Sequence, residues 1–153
     1  MTSQIPDTIY YQDRRCDLMA TPLEAYFEQG PARPELDCSY SALWRGYIAT
    51  WRLVEGRLFL VYLRPGMADG PKLTLGTVFP GQGRRVLASW FTGSLRISEG
   101  HCQEWLEGGF MNAHERETLV EIAEGWVISE RTLDLASIPM AAWPAEVMGD
   151  GWA

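Results

Sequence analysis

Side chains that could do chemistry are few in this chain, and their spacing is unhelpful. The two histidines, His101 and His114, are separated by twelve residues. A zinc centre needs three or four ligands at short spacing, and Cys102, Glu104, Glu115 and Glu117 can be enlisted only by ignoring that spacing. No metal or cofactor is expected. His101 and Cys102 are adjacent, and on a strand adjacent side chains point to opposite faces, so they cannot form a thiolate–imidazole pair with each other. The G-x-S-x-G, G-x-x-x-x-G-K and G-x-G-x-x-G patterns are all missing, and no catalytic residue is assigned. Gly81-Gln82-Gly83-Arg84-Arg85 comes nearest to an anion cradle, but with no helix start behind it the segment reads as a solvated loop.

Carboxylates are plentiful: Glu104, Glu107, Glu115, Glu117 and Glu121 fall within eighteen positions. On an extended strand Glu115, Glu117, Leu119 and Glu121 share one face. Such a row could set a raised-pKa acid beside an ionised base, although a solvent-facing strand edge is the simpler reading. The charge split points the same way. Residues 1–98 carry eleven basic against nine acidic side chains, whereas residues 99–153 carry two against eleven. The overall charge of −7 argues against nucleic-acid binding, which needs a basic footprint. An acidic last third suits a basic protein partner. Seven Trp, six Tyr and five Phe supply large apolar areas for a core or a recognition surface.

These residues must be positioned by strands. Apolar and polar residues alternate through the middle of the chain, punctuated by Glu-Gly at 55–56, 99–100 and 124–125, each read as a hairpin turn because Gly supplies positive φ. A two-residue loop at Glu55-Gly56 sets Val54 opposite Arg57, Leu53 opposite Leu58, Trp51 opposite Leu60 and Ala49 opposite Tyr62, with an apolar set on one side. The other side, with Ile48, Thr50, Arg52, Phe59, Val61 and Leu63, is expected to be covered or nearly so. Residues 117–132 read as a hairpin and 101–107 as a strand, although helical spacing of Leu119, Ile122 and Ala123, and of Cys102, Trp105 and Leu106, leaves helix open in both places. Thr21-Pro22-Leu23-Glu24 has the form of a capped helix start with a capping box, and Gly30-Pro31 stops that helix.

The expected fold is mainly β, at the margin of α+β: an antiparallel β-sandwich or small open barrel of eight to ten strands with one short N-terminal helix. One domain is expected over 1–153, its non-repetitive 136–153 tail lying on the domain or on a neighbouring subunit, which leaves room for a homo-oligomer. No apolar run approaches the ~20 residues that span a bilayer. The start lacks a basic and an apolar segment, and Cys16, Cys38 and Cys102 form no pattern, so the expected location is the cytoplasm with thiols reduced.

Three segments carry a resemblance: Trp44-Arg45-Gly46-Tyr47 with Trp51 and Gly56-Arg57-Leu58; Trp90 through Ile97; and Glu115-Arg116-Glu117 before Leu119-Val120-Glu121-Ile122. Over roughly residues 40–130 the chain resembles a group of uncharacterised small bacterial β-rich proteins. A Tyr usually stands there where this chain has His114, which argues against a catalytic role for His114, and the resemblance implies no activity. The function expected from the residues is a non-enzymatic binding or inhibitory protein of the immunity kind, using Arg45, Trp90, Arg96, Glu104, Trp105, Glu107, His114, Glu115 and Glu117 as binding residues. The competing expectation is a ligand carrier or hydrolase-like enzyme with a pocket inside the sheet, into which Arg45, Arg96 or His114 points.

Overall fold

The computed structural model describes residues 4–67, 72–104 and 113–144. Among these residues eight strands form one sheet: β1 (Asp7–Tyr11), β2 (Arg14–Leu18), β3 (Tyr47–Val54), β4 (Arg57–Pro65), β5 (Val86–Leu87), β6 (Gly93–Glu104), β7 (Ala113–Ala123) and β8 (Trp126–Asp134). Their order is β3-β1-β2-β6-β7-β8-β4-β5, and a further β3–β4 pairing closes seven of them into a barrel. The fold is mainly β, as expected. The barrel is closed, which corrects the sandwich and open-barrel readings; its pairings are mostly antiparallel, with β1 lying parallel to β3. Two features bring this about. The chain between β2 and β3 returns β3 alongside β1 in the same direction, and β4 pairs on both of its edges. The β4–β8 seam is short: Arg57 faces Trp126, flanked by Leu58 N–H to Gly125 O at 2.8 Å and Val127 N–H to Gly56 O at 2.8 Å.

The Glu55-Gly56 turn forms with both residues at positive φ, and Val54, Leu53 and Trp51 face Arg57, Leu58 and Leu60. A bulge then corrects the expected register. Thr50 pairs with Tyr62 and Ala49 with Leu63, leaving Val61 as the extra residue. One extra residue reverses the faces that follow, so Leu63 enters the core and Tyr62 is 56% exposed. The outer side of this hairpin is only partly covered: Ile48 and Phe59 are buried, whereas Arg52 and Tyr62 are exposed. Glu124-Gly125 also turns as expected. Glu99-Gly100 does not. It lies inside β6, where Gly100 takes φ +85° at a bulge opposite β7, so the positive φ serves a kink within a strand.

Inside the barrel Ile9, Leu18, Trp51, Leu58, Leu60, Leu63, Leu95, Ile97, Val120 and Ile122 are buried in one cluster. Helix α1 (Pro22–Glu28) adds Leu23 and Phe27. Its start carries Pro22, but the expected capping box is absent: Thr21 makes no side-chain cap bond, and the Glu24 carboxylate instead accepts from Tyr47 Oη at 2.7 Å and from Arg33. A tertiary partner with two donors outcompetes the local cap. A short helix α2 (Leu75–Val78) and 3-10 turns at Leu135–Ser137 and Met140–Ala142 complete the elements among the described residues. In the tail, Trp143 and Leu133 pack on buried Leu135. No helix among the described residues is long and apolar enough to cross a membrane.

Candidate functional site

The central strands β6 and β7 carry a buried polar network on the side facing away from the barrel core. Arg96 pairs across with Leu119, and Ser98 with Glu117, so these four side chains share one face while Leu95, Ile97, Thr118 and Val120 fill the other. Arg96 and Glu117 are both 0% exposed, with Arg96 Nη1 at 3.3 Å from Glu117 Oε1. Ser98 Oγ donates to the same carboxylate at 2.7 Å, and the backbone N–H of His114 bonds it as well. The expectation of a solvent-facing edge is therefore corrected for Glu117 and Leu119, which are buried. β7 has a neighbour on each edge, and Leu133 of β8 stands opposite Glu117 on the covered face. Burial pushes the Glu117 carboxyl up to about 7, against the downward pull of Arg96 and Ser98. Burial likewise lowers Arg96.

Further along the same strands lies an open cleft of about 410 Å³ lined by Glu99, Gly100, Glu115, Arg116, Asp134 and Ala136. The sequence builds it locally. The bulge at Gly100 brings backbone against the Glu115 side chain, and the end of β8 turns at Asp134, where Ser137 Oγ donates to its carboxylate at 2.9 Å. Glu99 is held by Arg14, whose Nε and Nη2 donate at 2.7 and 3.0 Å, and Arg116 Nη1 lies at 3.8 Å. The Arg14 hydrogen bonds keep the Glu99 carboxyl below its usual range. A Cβ added at Gly100 would run into the Glu115 carboxylate at a backbone conformation that L-residues rarely adopt. Gly100→Ala should therefore cost about 1–2 kcal/mol, read as a lower urea midpoint.

The other expected site residues are dispersed. Arg45 is buried beside Asp7, with Nη2 at 2.7 Å from Oδ1, and stacks over Tyr47. Trp90 is half-buried; its Nε1–H donates to Pro22 O at 2.8 Å, and its ring stacks on Phe79 at 5.3 Å. His114 is half-buried in β7, opposite Cys102, and Glu115 lines the cleft. Of Glu104 the backbone alone is described, paired with Ala113. Trp105 and Glu107 lie outside the described residues. The structure thus joins Arg96 to Glu117 and sets Glu115 in the cleft, but leaves Arg45 and Trp90 elsewhere. Sequence reasoning missed Arg14, Glu99, Arg116 and Asp134; the β1–β2 hairpin that delivers Arg14 turns on Gln12-Asp13, a pair without glycine.

Chemically, the cleft offers three carboxylates and an arginine; Glu99 is already paired with Arg14 and Arg116, so Glu115 and Asp134 are the carboxylates with which it could meet a cationic group. Cys16, near Glu99, is buried and its thiol is pushed up to about 11, so it supplies no thiolate at neutral pH. Among the described residues no group of three or more His, Cys, Asp or Glu side chains gathers as metal ligands do. No protein-family model, curated protein or solved structure matches the chain.

Proposed function

We propose that this chain is a non-catalytic binding protein, inhibitory in the manner of an immunity protein, that takes basic side chains of a protein partner into the carboxylate-lined cleft. The observation that carries this reading is the cleft itself, with Glu99 on β6, Glu115 on β7 and Asp134 at the end of β8. The barrel interior speaks for a binder over a pocket enzyme. Its space is taken by packed apolar side chains, and the buried arginines Arg45 and Arg96 each meet a carboxylate, Asp7 and Glu117. The acidic last third adds long-range attraction for a basic partner, an effect that salt screens beyond about 8 Å at physiological strength.

The test is affinity capture from native cytosol with the wild-type chain and with Glu115→Lys/Asp134→Asn as baits. A captured protein rich in Lys and Arg, retained at about 50 mM salt and lost by about 300 mM, is expected with the wild type. The variant should lose it while keeping its thermal midpoint. Equal capture by both baits would reject the cleft as the docking site. Glu117 is left out of this charge change because its burial against Arg96 makes it part of the fold.

A further inference from the structure

A second surface has the opposite character. The outward positions of β3 are Ile48, Thr50, Arg52 and Val54, and those of β4 are Arg57, Phe59, Val61, Tyr62 and Arg64, with no carboxylate in either strand. Neighbouring elements extend the same face with Tyr10 of β1, Arg85 beside β5, and Trp126 and Ile128 of β8. The guanidiniums here lie on rings. Arg52 sits 5.0 Å from the Tyr10 centroid, Arg85 4.3 Å from Phe59, and Arg57 5.2 Å from Phe59 and 5.5 Å from Trp126. Elsewhere Arg14, Arg33, Arg45, Arg96 and Arg116 each meet a carboxylate, whereas the exposed Arg15 and Arg84 meet none among the described residues. On this face Arg57 alone meets one, that of the exposed Glu55 at 3.5 Å, and Arg52 and Arg85 have no carboxylate partner among the described residues. Among the described residues Arg52 and Arg85 thus hold their guanidiniums over rings without a carboxylate partner.

We propose that the outer face of β1, β3, β4 and the start of β8 docks an acidic polypeptide segment, its carboxylates meeting Arg52, Arg57 and Arg85 and an apolar side chain covering Trp126 and Ile128. Three features carry this. Guanidiniums already stacked on rings lose little freedom when they take a carboxylate in the forked, two-bond geometry that Arg favours. Trp126 is 51% and Ile128 67% exposed, and they adjoin the arginines, the pairing of apolar anchor and Arg found at binding hot spots. The face is also complementary in charge to an acidic chain and distinct from the acidic cleft, so it serves a different partner or a different part of the same one. A peptide is favoured over single-stranded nucleic acid because the chain's overall charge of −7 opposes a polyanion with a charge at every residue; the open rings of Trp126 and Tyr62 make an oligonucleotide the competitor to test, Phe59 being buried beneath Arg57 and Arg85.

Panning a random 12-residue peptide library against the full chain tests this directly. Enriched sequences should combine Asp or Glu with a large apolar residue, and their affinity should fall about tenfold or more in Arg52→Glu/Arg85→Glu and in Trp126→Ala, with thermal midpoints unchanged. Arg52→Lys/Arg85→Lys, which keeps charge but not the fork, should recover only part of the binding. Enrichment without acidic residues, equal binding by the Glu variant, or displacement of the peptides by an oligothymidylate 12-mer would each overturn the proposal.

Discussion

Replacing Trp51 by alanine is expected to cost the most of any single truncation, roughly 3–5 kcal/mol and toward the upper end. Trp51 is fully buried at the centre of the barrel core, opposite Leu60 and alongside Ile9 of the parallel strand. It is also the partner of a buried charge. Its Nε1–H donates to Asp7 Oδ2 at 3.0 Å, while Asp7 Oδ1 accepts from Ala49 N–H at 3.0 Å and from Arg45 at 2.7 Å. Burial pushes the Asp7 carboxyl up, and each of these donors pulls it back. Truncation therefore opens a cavity and removes a donor from an ion in a dry site. Trp51→Phe separates the two effects, since it keeps much of the ring and loses the bond; a cost of about 1–3 kcal/mol is expected. Urea unfolding followed by far-UV circular dichroism reads both. An alanine variant within about 1 kcal/mol of the wild type would contradict the packing described.

Breaking the Arg96–Glu117 pair should be nearly as costly. Arg96→Met leaves the Glu117 carboxyl without its cation in a site closed to water, where it must stay ionised at a cost or take up a proton, and losing one partner of a buried pair costs about 3–5 kcal/mol. The double variant Arg96→Met/Glu117→Leu removes both charges and should recover most of that loss. A double variant as far below the wild type as the single one would mean that the pair itself stabilises the fold. Acidity gives a second reading. The folded Glu117 carboxyl titrates near 7, above its ordinary 4.5, so the folded chain holds this proton more tightly than the unfolded chain does. Its contribution to stability is full below about 4.5 and is lost as pH rises through about 7. The urea midpoint should accordingly fall between pH 5 and pH 8, and Glu117→Gln, which cannot titrate, should flatten that dependence.

What was legible in the residues was local. The Glu55-Gly56 and Glu124-Gly125 turns form because Gly takes a positive φ and the alternation beside each turn specifies which residues face across it. Trp51 with Leu60 follows from the same alternation. The acidic character of the last third was equally plain, since charge needs no fold to be counted. Only the tertiary structure could decide the rest. Whether Glu99-Gly100 turns the chain or kinks a strand depends on what pairs with the residues beyond it, and β7 pairs on both sides of the bulge. Closure of the barrel rests on β4 reaching β8 through two bonds beside a single residue pair, a contact between segments about seventy positions apart for which no short-range pattern exists. The fate of the acids was decided in the same way. Glu115 and Glu117 are two residues apart on one face of β7, and alternation makes them equivalent. The covering turn at Leu135–Ser137, Leu133 of β8 and Arg96 of β6 bury one, and the bulge at Gly100 sets the other in an open cleft. A side chain's type is written in the sequence, whereas its exposure and charge partner come from segments far along the chain, and those two properties separate a structural ion pair from a binding residue.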